Sequence, residues 1–414
     1  MAPNVVGSTF ILAETALTDT NNNNKVTSSP PTPPNDLLPP TVNSKRFDLS
    51  SDEVSTREKE HLKKPYKVEI VWRNVIAFII LHTGAFYGLY LVFAELAILE
   101  FLFGYFLTFL GGIGITGGAH RLWAHRSYKA KLPLRIILMV FDTLAFQDSI
   151  YVWARDHRVH HKFTDTNADP YSSRRGFFFS HMGWLMCRKH PDVVEKGKLI
   201  DLSDLEADPV IRFQRKYFVM LMPLFCFVLP AIIPYLAWGA PLMRSFFICS
   251  VLRYTISLHG TWTVNSIAHI YGTKPYDKNI SPVESKLVSI VALGEGWHNY
   301  HHIFPWDYKA AELGRYPNVT VTILNLLAKI GQAYDMKTVS REMILRRTKR
   351  TGDGSYPFVL KDLNNNEPET TNVPADMLSQ LDHEKEKVFI WGWDDKDISE
   401  DDRNLVHILD KKDI

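Results

Sequence analysis

The sequence predicts an all-α integral membrane protein, with four transmembrane helices joined to a cytosolic helical cap in which histidines are gathered. Three observations predict it. Apolar residues of the 414-residue chain collect in long uncharged runs, basic residues crowd one side of those runs, and eight of the 16 histidines fall in three tight groups. Average composition hides the runs, because polar termini dilute them to a mean hydropathy of −0.11. Lys and Arg (47) nearly cancel Asp and Glu (45), so no field favours nucleic acid. Three cysteines, Cys187, Cys226 and Cys249, are too few for a disulfide scaffold or a cysteine-rich zinc site.

Residues 1–65 carry an asparagine run and a proline-rich stretch, and are expected to be a disordered polar tail. The membrane domain is expected over 66–350. Within it the runs 75–94, 101–119 and 217–243 carry no charge, and each is long enough to cross a hydrocarbon core of ~30 Å as a helix. The stretch 132–147 contains Arg135 and Asp142, is amphipathic, and is expected at the interface. A fourth span, 245–268, contains Arg253 and His259, and hydropathy alone leaves it undecided. Lys63, Lys64, Lys67 and Arg73 precede the first span, whereas only Glu95 and Glu100 lie between the first and second. The positive-inside rule therefore puts the N-terminus in the cytosol. The cap comprises 120–216 and 269–350, and residues 351–414 form an acidic extension expected to be loosely ordered.

The histidine groups are His120 with His125, then His157, His160 and His161, then His298, His301 and His302. The second and third share the spacing H-x-x-H-H, which stacks i, i+3 and i+4 on one helical face. Asn265 and His269 share a face by the same rule. Neutral imidazole is the commonest nitrogen ligand of iron, copper and zinc. One such histidine is usually an ordinary polar residue, but nine in spaced sets are not. Nine are also too many for one tetrahedral zinc and suit two metals of higher coordination. For all groups to reach one site they must lie on one side of the bilayer. That requires a fourth crossing, for which 245–268 is the only candidate, and implies that Arg253 faces protein.

With their flanks (Gly118 to Lys129, Asn265 to His269, Gly294 to His302) these boxes resemble the acyl-CoA desaturases of the stearoyl-CoA Δ9 type. The likeness runs from about Arg73 to Gly354. It implies a di-iron centre (two Fe2+) held by the nine histidines, with Asn265 holding a metal-bound water. Asp156, Asp165, Asp169 and Glu295 are candidates to orient ring N–H groups. The resemblance also implies acyl-CoA contacts at Asn74, Arg155, Asp156, Arg188, Lys189 and Trp262. A bend in an acyl tunnel is implied at Gln147, Trp153, Thr261 and Trp262. Its closed end is implied at Thr108 and Gly112, where two small residues are expected to leave room for an eighteen-carbon chain.

Gly112, Gly114 and Gly117 match the letters of a dinucleotide fingerprint, but no strand precedes them and they lie inside a span. They are expected to let helices approach or to leave room for a ligand. Electrons must then come from a partner. The resemblance implies cytochrome b5 with its NADH-dependent reductase, for which Arg174, Arg175, Arg341, Arg346, Arg347, Lys349 and Arg350 are candidate contacts. The expected function is cis desaturation of long-chain acyl-CoA at Δ9 in the endoplasmic reticulum membrane, with both termini cytosolic. The alternatives are another regiochemistry such as Δ11, another lipid substrate, or a histidine-rich metal transporter. A transporter would place its ligands near the midplane of the spans, and here they cluster at span ends and in loops.

Overall fold

Uncharged runs form helices here, but the helix ends are set by caps and turns that hydropathy does not register. The computed structural model describes residues 67–312, 318–356, 389–409 and 411–413, and from Glu69 onward they form one unit. The expected polar tail 1–65 and the stretch 357–388 of the acidic extension lie outside the described residues.

Helix α1 is Trp72–Ala94 and α2 is Ile98–Ala124. Helices α3, Leu132–Ala145, and α4, Ile150–Lys162, meet at a bend of 82°. Phe146 and Asp148 both take positive φ there, and Ser149 caps α4 by accepting a hydrogen bond from Val152 N. Helix α5 runs Pro209–Trp238, and its start is fixed by Asp208, whose carboxylate accepts from Val210 N at 2.8 Å. Its end is Gly239 at φ 71, in the left-handed region. The third uncharged run therefore starts one helical segment too late and continues past a turn, because counting charges registers neither the cap nor the glycine. After that turn, helix continues unbroken through Leu242–Ser245, Phe246–Leu252 and α6, Arg253–Ile270.

Among the described residues, α1, α2 and α5 are long and apolar enough to cross a membrane, and the bent pair α3 and α4 also passes when taken together. Ile76, Ile80, Phe86, Tyr90 and Phe93 stand out from α1 as an exposed apolar face, the kind of surface that lipid covers. The opposite face packs Phe78, Leu81, Ala85 and Leu91 against Ile248, Val251, Leu252 and Trp262. Arg253 is 1% exposed. Its guanidinium is spent on carbonyls, with Cys249 O at 3.1 Å, Leu144 O at 3.0 Å and Cys226 O at 2.9 Å. The arginine thus faces protein, as topology required, and joins three helices.

The cap is finished by α7, His298–Ile303, α8, Val319–Lys329, and α9, Arg341–Thr351. Two short antiparallel ribbons interrupt the helices: β1 (Lys129–Ala130) with β2 (Ala333–Tyr334), and β3 (Met336–Val339) with β4 (Val406–Leu409). Strand β4 belongs to the acidic extension. The described part of that extension is packed rather than loose, with Trp391, Asp395 and Ile398 all buried. Its aromatic and apolar anchors are spaced too sparsely for a composition argument to detect.

Gly114 lies where α2 crosses α3. A Cβ there would stand 2.3 Å from Asp142 N and 2.4 Å from Phe141 C, both backbone atoms that cannot swing aside. At Gly117 the nearest atom is a side-chain carbon at 3.8 Å. We expect Gly114→Ala to separate the helices and cost about 1–3 kcal/mol or more, seen as a lowered Tm in detergent. Gly117→Ala should keep the parent Tm, and equal behaviour of the two variants would contradict this crossing.

Candidate metal centre and adjoining cavity

His120 and His125 are five residues apart, a spacing that an α-helix places about 140° apart around its axis at 3.6 residues per turn. The chain solves this by widening. From Gly114 to Ala124 the helix takes π-type turns, and His125 N–H donates to His120 O, five residues back, at 3.0 Å. The two rings then face one another with centroids 4.8 Å apart. The second box lies on α4, the third on α7, and His269 ends α6. Arg158 binds the first two boxes together. Fully buried, it donates to Trp123 O and Ala124 O, the orphan carbonyls ending α2, and to Asp204. Burial raises the Asp204 pKa, but Arg158 and Arg126 outweigh it and bring it down to about 2.

The nine imidazoles form two groups. His120, His125, His157, His161 and His301 bring one nitrogen each within 4.8 Å of one another, and so do His160, His269, His298 and His302. All nine are buried. Nε2 atoms face Nε2 atoms: His120 and His301 at 2.9 Å, His125 and His157 at 3.0 Å, His161 and His301 at 3.1 Å, His269 and His298 at 3.1 Å. The outer nitrogens explain this. Nδ1 of His120 lies 2.8 Å from Glu295, and that of His160 lies 2.8 Å from Asp169. Nδ1 of His269 meets Ser281 Oγ at 2.8 Å, that of His157 meets Tyr171 OH at 3.2 Å, and that of His125 donates to the carbonyl of Trp391. With the proton on Nδ1, each Nε2 presents a bare lone pair inward. His160 Nε2 is buried without any hydrogen-bond partner. Converging bare lone pairs in a dry site repel unless a cation lies between them, so the donor set fits two transition-metal ions. Burial lowers the pKa of His125, His157, His161, His298, His301 and His302. These six rings are therefore neutral and able to ligate near pH 7.

Of the four acids expected to orient rings, Glu295 and Asp169 do so. Asp165 instead accepts from Ser281 N at 2.9 Å, one step further out. Asp156 binds Arg155 at 2.8 Å and also pairs with Lys189. Tyr171, Ser281 and the Trp391 carbonyl have no sequence signal, nor has Thr164, whose Oγ1 lies 3.4 Å from His302 Nδ1, because any hydroxyl or carbonyl could fill those places.

A cavity of about 420 Å³ reaches both groups, touching His120, His157, His298 and Asn265. Along α2 its wall is Tyr105, Thr108, Gly112, Thr116 and His120, one helical face about 20 Å long at 1.5 Å per residue. Gln147, Trp153, Asp156, Thr261 and Trp262 line it as well, and Gln147 Nε2 donates to Thr261 Oγ1 at 2.7 Å across its wall. Four expected contacts do not line it. Asn74 is buried and donates to Leu185 O at 2.7 Å, Arg188 pairs with Glu69 at 2.9 Å, and Arg155 and Lys189 are spent on Asp156. Tyr105 supplies an aromatic one turn before Thr108, and a Cβ at Gly112 would lie 2.7 Å from Leu293 Cδ1, so Leu293 takes part of the space expected there. Of the basic candidates for a partner, Arg347 is bound to Asp277 at 2.5 Å.

The fatty acid desaturase family profile matches residues 96–338. An acyl-CoA Δ9 desaturase of Acheta domesticus is 52% identical over 84% of this chain and 89% of its own length. An acyl-CoA Δ12 desaturase of the same cricket is 50% identical over 86% of this chain and 91% of its own. The stearoyl-CoA desaturase of Homo sapiens is 52% identical over 75% of this chain and 86% of its own. A profile covering more than half the residues and relatives of this identity lead to one conclusion: the chain belongs to the fatty acid desaturase family.

Proposed function

We propose that the protein is an acyl-CoA desaturase, an oxidoreductase that forms a cis double bond at Δ9 of a saturated long-chain acyl-CoA with O2. The observation that supports it best is a long apolar cavity whose wall includes imidazoles of both nitrogen groups. A chain lying in it exposes its methylenes to both groups, while Trp153 and Trp262 keep water from the bend. The nine histidines would hold two irons, one in each nitrogen group, and Asn265, which lines the same cavity four residues before His269, would hold a water there. When bound, the iron pair supplies the strong O2-derived oxidant needed to take hydrogen from an unactivated methylene. The protein's own part is positional. Glu295 and Asp169 hold their rings by Nδ1, and the Gln147–Thr261 bond holds the wall at the bend, selecting which carbon pair faces the nitrogens.

Asp156 lies on the cavity wall, and Arg155 and Lys189 pair with it from outside the lining. In this reading that cluster, with Arg188 next to Lys189 in sequence and Asn74 bonded to Leu185 O, meets the anionic CoA headgroup. The arrangement of Lys and Arg around the spans favours cytosolic termini, with the run through Leu242–Ile270 as fourth crossing and the endoplasmic reticulum as the membrane. No nucleotide-binding motif stands in a strand–turn–helix context, so electrons are assigned to cytochrome b5 and its NADH-dependent reductase.

The deciding assay is expression in a desaturase-deficient yeast, with the double bond located by mass spectrometry. Monounsaturated Δ9 products are expected, and a Δ12 or Δ11 product would overturn the regiochemistry but not the reaction class. His301 Nε2 contacts both His120 and His161, so it is central to the five-nitrogen group. His301→Ala should retain less than about a tenth of parental activity, given ~10–100-fold losses on disturbing metal surroundings, while its amount in membranes is unchanged. Activity above that level would count against the metal assignment.

Gly112→Leu should press on Leu293 and shorten the cavity, since overfilling a closed site excludes the longest ligand first. The expected outcome is a lower ratio of eighteen- to sixteen-carbon products in the same yeast. An active variant with an unchanged ratio would show that this wall does not set chain length.

A further inference from the structure

We propose that the segment Trp391–Asp395 is part of the metal centre, where it serves as a positioning clamp for His125. The proposal rests on the reading of the nine imidazoles as a two-metal site. The segment lies far outside residues 96–338, the part of the chain that carries the family profile.

His125 caps the end of α2, its N–H bonded to His120 O, and Arg126 after it takes a positive φ of 53°, so the helix holds this ligand from one side only. The clamp grips it twice. The His125 ring donates from Nδ1 to the carbonyl of Trp391, and the His125 carbonyl accepts from Trp393 N–H at 3.0 Å. The first contact fixes the proton on Nδ1 and leaves Nε2 bare, facing His157 Nε2 at 3.0 Å. Gly392, between the two contacts, lies flat against the histidine. A Cβ on it would stand 2.6 Å from His125 O and 2.9 Å from His125 Cα. Only glycine permits that approach.

The clamp is bolted to α4, the helix of the second histidine box. The Trp391 ring lies under the Arg158 guanidinium at 4.2 Å and packs with Val159, Val193 and Ile200. Asp395 accepts from Trp391 N–H at 3.0 Å and pairs with Lys162 at 2.9 Å, and it is 2% exposed. Arg158 and Lys162 flank His160 and His161. The clamp thus sets the angle between the first and second boxes within the five-nitrogen group, and the one ligating ring it hydrogen-bonds among the described residues is His125.

Gly392→Ala and Asp395→Ala, each in the full-length chain, disturb the clamp without altering a ligand. The readout is iron per purified chain and its release to a ferrous chelator. Wild type is expected to hold two irons. In both variants one of the two should be held ~10–100-fold more weakly, giving biphasic release, because that is the usual cost of removing the partner of a ligating imidazole. The second phase should match wild type, as should the circular dichroism spectrum. Trp391→Phe keeps both the main-chain carbonyl and an apolar ring, and should release iron like wild type. The clamp is refuted if both alanine variants release iron in the wild-type manner, or if they lose both irons together with helical signal, which would make the segment a general brace. Wild-type protein that holds no iron overturns the metal reading itself, a separate result.

Discussion

Nine buried imidazoles turning nitrogens toward one another are the constraint around which the rest of the structure is arranged. Lone pairs that converge in a buried site repel, so holding rings from behind keeps the set converged. The holding is visible in the outward nitrogens of His120, His157, His160 and His269, which meet Glu295, Tyr171, Asp169 and Ser281. It continues one step further out. Glu295 is itself bound by Arg121 at 2.7 Å, and Ser281 by Asp165. Burying such groups is costly unless all of them are paired, which accounts for the density of ion pairs in so dry a region.

The same constraint explains the irregular backbone. A regular α2 would turn His125 away from His120, and a regular end to α2 would leave Trp123 and Ala124 with unpaired carbonyls. Widened turns correct the first problem and the buried Arg158 the second. The helices can then pass closely where glycine allows, as Gly114 does against the backbone of α3. One face of α2 is left to line the cavity with residues that are small or apolar until His120 is reached. Ligand and substrate surfaces are thus successive turns of a single helix, and movement in one is felt by the other.

Much of this was legible in the chain. Uncharged runs marked α1, α2 and α5, spacing marked the three boxes, and topology alone required Arg253 to face protein. These are local or one-dimensional properties, set by period and by the cost of a charge in hydrocarbon. The boundaries were less legible, because Asp208 and Gly239 act through geometry rather than hydropathy. Ion pairing was least legible: Arg188 and Lys189, expected as headgroup anchors, pair with Glu69 and with Asp156 of the cavity wall.

The sequence by itself determined the chemistry: nine imidazoles, their order in three boxes and one lone position, and the apolar helices that carry them. Only the tertiary structure decided the partition into five and four nitrogens, because that depends on which helices cross and at what angle. It also decided which acids orient rings and which do not. Asp156 and Asp169 look alike in sequence, but one faces cations and the other an imidazole. Above all it brought Trp391 to His125 across 266 positions. No period or motif encodes such a contact, since it arises only when distant segments are packed against the same helix.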